Sequence, residues 1–81
     1  MRTAPGLHVE WVDDEAVILD PQTNQLHYLN PAAALVYALI EELGFDGAIA
    51  EVKDRFSGRD EFEAQLDEVI EGMKEKGLLV D

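Results

Sequence analysis

The side chains able to carry nucleophilic, acid–base or metal chemistry are few in this chain. His8 and His27 fall in different predicted strands, and no carboxylate stands at the spacing of a metal site or a catalytic dyad. Ser57 is the sole serine and stands beside Gly58 in a predicted turn, where serine is common for backbone reasons. Because cysteine is absent, the chain has neither a thiolate ligand nor a disulfide. The sequence therefore predicts a protein that is not an enzyme and needs no metal or cofactor.

Length and charge narrow the remaining functions. The chain has 81 residues, which fits a single domain over residues 1–81 with a flexible end at residues 1–6. It carries 18 Asp and Glu against 6 Lys and Arg, a formal net charge of -12, so its field repels nucleic acid and anionic lipid. A hydrophobic fraction of 47% predicts a folded chain. There is neither a signal peptide nor an apolar run of membrane-spanning length, so we expect a cytoplasmic protein.

The chain up to Asn30 has the pattern of β-strands. Residues 7–12 alternate between apolar and polar, Asp13 and Asp14 form a tight turn, and residues 15–20 hold a β-rich apolar run. Residues 21–24 contain Pro and Asn as a short connection would, and residues 25–29 resemble a third short strand. We expect a three-stranded antiparallel meander.

Helical periodicity begins after the strands. Asn30 is a preferred cap and Pro31 suits the first helical position, so a mostly buried helix should begin there and end at Gly44. A second, short helix is predicted over residues 47–57, with Asp46 as its cap. A third is predicted over residues 61–76, ending at Gly77. The buried positions predicted on the helices are Leu35, Val36, Leu39, Ile40, Leu43, Ile49, Val52, Phe56, Phe62, Leu66, Val69 and Met73.

Three strands followed by three helices predict an α+β fold with winged helix-turn-helix character. A DNA-binding member of that class needs basic side chains on its last helix. Here the third helix carries mostly Glu and Asp, with Lys74 and Lys76 as its only bases. The electrostatics therefore exclude the usual function of this topology.

The stretch DPQTNQLHYLNPAAA at residues 20–34 and the ending Gly77-Leu78-Leu79 resemble the PqqD-like family. These small proteins are known as recognition elements of ribosomally made, post-translationally modified peptides (RiPPs). The resemblance covers about residues 7–80. It implies that the third strand and the third helix form a groove for the leader segment of a precursor peptide. It also implies a partner enzyme that receives the peptide, such as a lasso-peptide leader protease or a radical SAM maturase. The string Tyr28-Leu29-Asn30-Pro31 resembles the stand-alone lasso-type members.

The residues themselves lead to a compatible site. The third strand is an edge without Lys, interior Pro or a bulge signal, so it can accept an extended peptide as an additional strand. Within it Leu26 and Tyr28 should face one side, and His27 and Leu29 the other, with Leu29 in the core. On the third helix Ile70 lies beside the core stripe and is a candidate apolar contact. The complete predicted leader site is Gln25, Leu26, His27, Tyr28, Leu29, Glu63, Asp67, Ile70 and Lys74.

Two alternatives stand beside leader binding. The chain could be an acidic winged-helix adaptor or dimerisation module that reads no peptide, with the exposed third strand pairing with that of a second copy. A nucleic-acid regulator is the weaker alternative, because its binding to duplex DNA would have to overcome the net negative charge.

Overall fold

The computed structural model describes residues 1–56 and 60–81, and leaves the side chains of residues 60, 62 and 63 undescribed. The turn expected at residues 57–59, the capping pair of Asp60 and Glu63 and the burial of Phe62 all lie outside the described residues. The described chain is α+β. Its elements are β1 (Arg2–Thr3), β2 (His8–Val12), β3 (Glu15–Asp20), β4 (Gln25–Leu29), α1 (Pro31–Arg55), α2 (Asp60–Glu75) and β5 (Leu79–Val80).

Strands β2, β3 and β4 form the expected three-stranded antiparallel meander, in that order. Each connection holds one residue in the left-handed backbone region, Asp13 with φ 58° and Asn24 with φ 61°, a conformation that Asp and Asn tolerate. In the second connection the Asp20 carboxylate accepts a 3.0 Å hydrogen bond from the backbone N–H of Gln22. These local side-chain preferences fix the strand register.

The register gives the sheet two distinct faces, because residues directly opposite one another share a face. The inner face lies against α1 and contains the buried residues Ala16, Ile18 and Leu29. Its cross-strand rows are Trp11–Ala16–Leu29 and Val9–Ile18–His27. The outer face has the rows Glu10–Val17–Tyr28 and His8–Leu19–Leu26.

Helix α1 begins where the sequence predicts. The Asn30 side chain accepts a 2.9 Å hydrogen bond from the backbone N–H of Ala33, and Pro31 occupies the first turn. Gly44 interrupts the helix, at the predicted boundary. The backbone departs from helical geometry there, at φ 78° and ψ 169°, and a second helical segment then runs to Arg55. The two segments follow one another across a kink within one element instead of forming two separate helices, and Asp46 lies inside the second segment instead of capping it.

Helix α2 ends close to the predicted position, at Glu75. Gly77 adopts φ 77°, and the backbone N–H of Leu78 donates to the carbonyl of Met73 at 2.9 Å. Residues 79–80 then pair antiparallel with β1 as strand β5. Residues 1–6, which we expected to be flexible, therefore include a paired strand.

The core lies between the inner face of the sheet, α1, α2 and β5. Most of the predicted helix positions are buried, including Val36, Ile40, Val52, Leu66 and Met73. The predicted positions that are only half-buried, while packing against the core, are Leu35, Ile49, Phe56 and Val69. Leu43 and Tyr37 differ more clearly from expectation. Leu43 was predicted to be buried but is 50% exposed. Leu43 lies just before the kink, and a Cβ added at Gly47 would lie 3.0 Å from the Cβ of Leu43. Tyr37, which the pattern did not single out, is among the most buried side chains.

Candidate functional site

Strand β4 presents a free edge. In the part of the chain that the structure describes, β4 pairs with β3 alone, so its other side is an unpaired row of backbone donors and acceptors. The side chains alternate as predicted. Leu26 and Tyr28, on the outer face, are 58% and 72% exposed, whereas Leu29 on the inner face is 3% exposed. This edge is therefore open to an additional strand without rearrangement of the core.

His27 occupies the inner face of the same edge strand and is half-buried. Its Nε2 atom is enclosed, with no hydrogen-bond partner among the described residues. An enclosed polar atom without a partner costs roughly 1–3 kcal/mol.

A cleft opens beside the end of β4. It has a volume of about 310 Å³ and lies between the start of α1 and the middle of α2. Asn30, which directly follows β4, belongs to its lining, so the free edge and the cleft are adjacent. The lining residues are Asn30, Ala32, Val36, Gln65, Leu66, Glu68 and Val69. The inner part of this surface is aliphatic, and the Glu68 carboxylate adds a negative charge, so the cleft suits an apolar side chain with basic neighbours.

The cleft uses one flank of α2. Gln65, Val69 and the half-buried Gly72 follow one another at helical spacing along this flank. Gly72 stands one turn beyond Val69, and a Cβ built there would meet no atom within 4 Å. Space is thus open along the helix beyond the cleft. We call this flank, residues 65, 68, 69 and 72, the cleft flank.

The predicted α2 residues lie on a different flank. Asp67, Ile70 and Lys74 follow one another at i, i+3 and i+7, and none of them lines the cleft. Ile70 packs against the core as a half-buried side chain, and the ammonium of Lys74 lies 3.4 Å from the Glu71 carboxylate. The side chain of Glu63 lies outside the described residues. Contact of these four residues with a leader stays a prediction.

The sequence did not assign Gln65 and Glu68 to the site, and it placed Val69 in the core alone. Helical spacing identified the central stripe of α2, but both flanks border that stripe equally. Only the docking of α2 against α1 shows which flank lines a cleft. Gln65 and Val69 lie on one side of Leu66 along the helix. Nothing in the sequence distinguishes that side from the opposite one as the side that lines a cleft.

The described residues contain no group of three or more His, Asp or Glu that could hold a metal ion. His8 and His27 lie on opposite faces of the sheet and are not brought together. Ser57 lies outside the described residues. No helix in the described ranges is both long and apolar enough to cross a membrane.

Comparison with known proteins shows the family of this chain. The family model described as coenzyme PQQ synthesis protein D (PqqD) matches residues 15–79, which include the sheet edge and both walls of the cleft. The chain belongs to the PqqD family. The resemblance of residues 20–34 to that family is thereby confirmed, and membership agrees with the expectation that the protein is not an enzyme.

A solved structure shares the fold of this PqqD-family chain. Its title is "TbiB1 in Complex with the TbiA(beta) Leader Peptide", and the match has a TM-score of 0.79 over 100% of both chains at 21% sequence identity. No curated protein matches the sequence. The fold is therefore one that, in TbiB1, is found with a leader peptide.

Proposed function

We propose that this PqqD-family protein binds the leader segment of a ribosomally made precursor peptide and presents the peptide to a modifying enzyme or leader protease. The leader adds as a strand to the free edge of β4 and places an apolar side chain in the cleft between α1 and α2. The observation that carries the proposal is the continuity of edge and cleft, because Asn30 directly follows β4 and lines the cleft.

Strand addition provides affinity that does not depend on side-chain identity. Each backbone group of the added strand that pairs with β4 replaces a hydrogen bond to water. Because side chains alternate along a strand, one set of leader side chains would lie beside Leu26 and Tyr28 on the outer face. The other set would point toward His27 and the cleft. Selectivity then comes from the inward set, which lies against the partly apolar lining of the cleft.

The charge of the protein favours a leader with basic residues. Glu68 lies in the cleft lining, and the chain as a whole has a net charge of -12. Complementary charge raises association rates and disfavours wrong partners. The solved complex of TbiB1 with a leader peptide supports the same use of this fold. We place the protein in the cytoplasm with the ribosomally made precursor, and a lasso-peptide leader protease or a radical SAM maturase is the proposed recipient.

A fluorescence-anisotropy titration tests the function. The probes are labelled leader segments from short reading frames encoded beside this chain, with a scrambled leader and duplex DNA as controls. We expect saturable binding at or below micromolar concentration to one leader and to neither control. Sedimentation over a concentration series, with and without that leader, examines the adaptor alternative. If dimers persist in the presence of every leader and the anisotropy does not change, the proposed function is wrong, and self-association through the β4 edge takes its place.

A further inference from the structure

A second cleft lies at the opposite edge of the sheet. It has a volume of about 340 Å³ and lies between β2 with its following turn and the first turns of α1. The lining residues are Trp11, Asp14, Pro31, Leu35 and Ala38. We call this surface the Trp11 cleft. Four of its five lining residues are apolar, so its floor offers hydrophobic contact and little hydrogen bonding.

Trp11 is exposed in a row that is otherwise buried. It lies on the inner face opposite Ala16, which is fully buried, and Ala16 in turn pairs with the buried Leu29. Trp11 itself is 50% exposed. The indole therefore lies at the margin of the core, at the β2 edge, and has a solvent-exposed apolar surface beside Leu35 and Ala38. Half-exposed tryptophans of this kind are typical anchors of protein interfaces.

The charged residues near the cleft lining in the sequence are acidic. All six Lys and Arg of the chain lie outside residues 3–52, so neither the three-stranded sheet nor the first part of α1 holds a Lys or Arg. Asp14 lines the cleft, Asp13 and Glu15 flank it, and Glu42 follows Ala38 by one helical turn. The cleft therefore favours an occupant that combines an apolar side chain with Lys or Arg.

The net charge disfavours a second copy of this chain as the occupant. The copies would bring two acidic surfaces together, each from a chain with a net charge of -12. The leader is not the expected occupant either, because its proposed strand lies at β4. Strands β2 and β4 lie on either side of β3 and are therefore about 10 Å apart, so both edges of the sheet can be occupied at once.

We propose that the Trp11 cleft is the docking site for the enzyme that receives the peptide, and that this enzyme inserts an aromatic or aliphatic side chain flanked by Lys or Arg. The inference rests on the proposed leader function, since it assigns the second partner of the same complex. Leader and enzyme would bind at opposite edges of one sheet. The leader can then stay bound while the attached peptide reaches the enzyme.

The sole tryptophan of the chain makes this testable by direct observation. Protein labelled with 5-fluorotryptophan gives one ¹⁹F resonance, which reports on Trp11. The probes are the leader identified by anisotropy and, separately, the purified leader protease or radical SAM maturase encoded beside the chain. We expect the enzyme to shift the resonance and the leader to leave it nearly unchanged. A resonance that responds to the leader and not to the enzyme would overturn the assignment.

Two variants and one matched control extend the test. Trp11→Ser removes the anchor, and Asp14→Lys reverses a charge at an exposed turn position without touching the core. Val12→Ser is the control, since Val12 is 56% exposed but belongs to the outer face. We expect the first two variants to weaken enzyme binding at least tenfold while their leader affinity stays within twofold of the parent. Val12→Ser should change neither.

The outcomes separate this inference from the proposed function. If the parent protein binds no leader, the function itself fails. If it binds a leader but Asp14→Lys and Trp11→Ser bind the enzyme as the parent does, only the docking site is wrong. Retained leader affinity shows that each variant is folded. A dimer in sedimentation that Trp11→Ser disrupts would assign the cleft to a second copy and overturn the proposal.

Discussion

Tyr28 and Leu29 are neighbours in β4, yet their side chains lie on opposite faces of the sheet, 72% and 3% exposed. The difference follows from the two-residue period of a strand whose inner face rests on α1. The same substitution, made separately at each of the two positions, therefore tests the register of β4 directly.

Leu29→Asp should unfold the protein, because it places an unpaired carboxylate in the core at a cost that rivals the total stability of a small domain. Tyr28→Asp should keep a cooperative transition, since its carboxylate stays in water. Thermal melts by circular dichroism distinguish the two. A well-folded Leu29→Asp variant would mean that the register is displaced by one residue.

The sheet and the helix termini were predictable because local chemistry determines them. Asp13 and Asn24 occupy left-handed turn positions that few other residues accept, Asn30 caps α1, and Gly77 takes the left-handed conformation after α2. Each of these signals acts within a few residues. Their agreement allowed the meander and the start of α1 to be predicted correctly.

The remaining features depend on packing between distant segments. Gly44 signalled the interruption of α1, but the sequence placed a cap at Asp46, whereas helix resumes directly after the kink. The pairing of Arg2–Thr3 with Leu79–Val80 joins the two ends of the chain, and strands of two residues have no recognisable period. Which flank of α2 lines the cleft depends on how that helix docks. The half-exposed Trp11 likewise had the spacing of a core residue.

The cap of α1 predicts a measurable stability difference. The side-chain Oδ1 of Asn30 accepts a hydrogen bond from the Ala33 backbone N–H at 2.9 Å, and a cap residue of this kind is worth about 1 kcal/mol over alanine. Asn30→Ala should lower the melting temperature by roughly 4–8 °C, given the size of the domain. Asn30→Asp retains an acceptor and should melt close to the parent. Equal losses in both variants would argue against the cap.

Tyr37 predicts a loss of stability at alkaline pH. Burial, and next the negative charge of Glu41, raise the pKa of Tyr37 from 10.0 to about 12. The phenol thus ionises in the unfolded chain at lower pH than in the folded one. The folded state binds more protons between these values, and the free energy of unfolding falls as pH rises through that window, by on the order of 2–3 kcal/mol.

Urea unfolding at several pH values from 9 to about 12 tests the role of Tyr37. Tyr37→Phe should remove this component of the pH dependence, because no ionisable group remains at the position. Tyr28→Phe is the matched control, since that side chain is exposed, and it should keep the slope of the parent. If both variants retained the slope, the alkaline loss would arise from other groups.

Val69 and Ile70 provide a direct comparison of the two flanks of α2. Both are half-buried and both border the core stripe, but only Val69 lines the cleft. Val69→Glu should weaken leader binding at least tenfold, about 1.4 kcal/mol, in the anisotropy titration. Ile70→Glu tests the residue that the sequence favoured. A larger loss from Ile70→Glu at equal melting temperatures would move the leader to the opposite flank.

Gly72 predicts opposite effects on stability and on binding. A glycine inside a helix costs about 1 kcal/mol relative to alanine, and a Cβ at this position would meet no atom of the protein within 4 Å. Packing therefore does not require glycine there. Since Gly72 continues the cleft flank one turn beyond Val69, we expect the leader to pass close over its backbone.

Gly72→Ala should raise the melting temperature by roughly 4–8 °C while reducing leader affinity, and Gly72→Leu should reduce affinity at least tenfold without unfolding the protein. Glu71→Leu places the same side chain on the neighbouring residue, about 100° around the helix, and should bind the leader as the parent does. Affinity that is unchanged in Gly72→Leu would show that the leader does not follow α2 beyond the cleft. A loss shared equally by Glu71→Leu would show a nonspecific effect of added apolar surface.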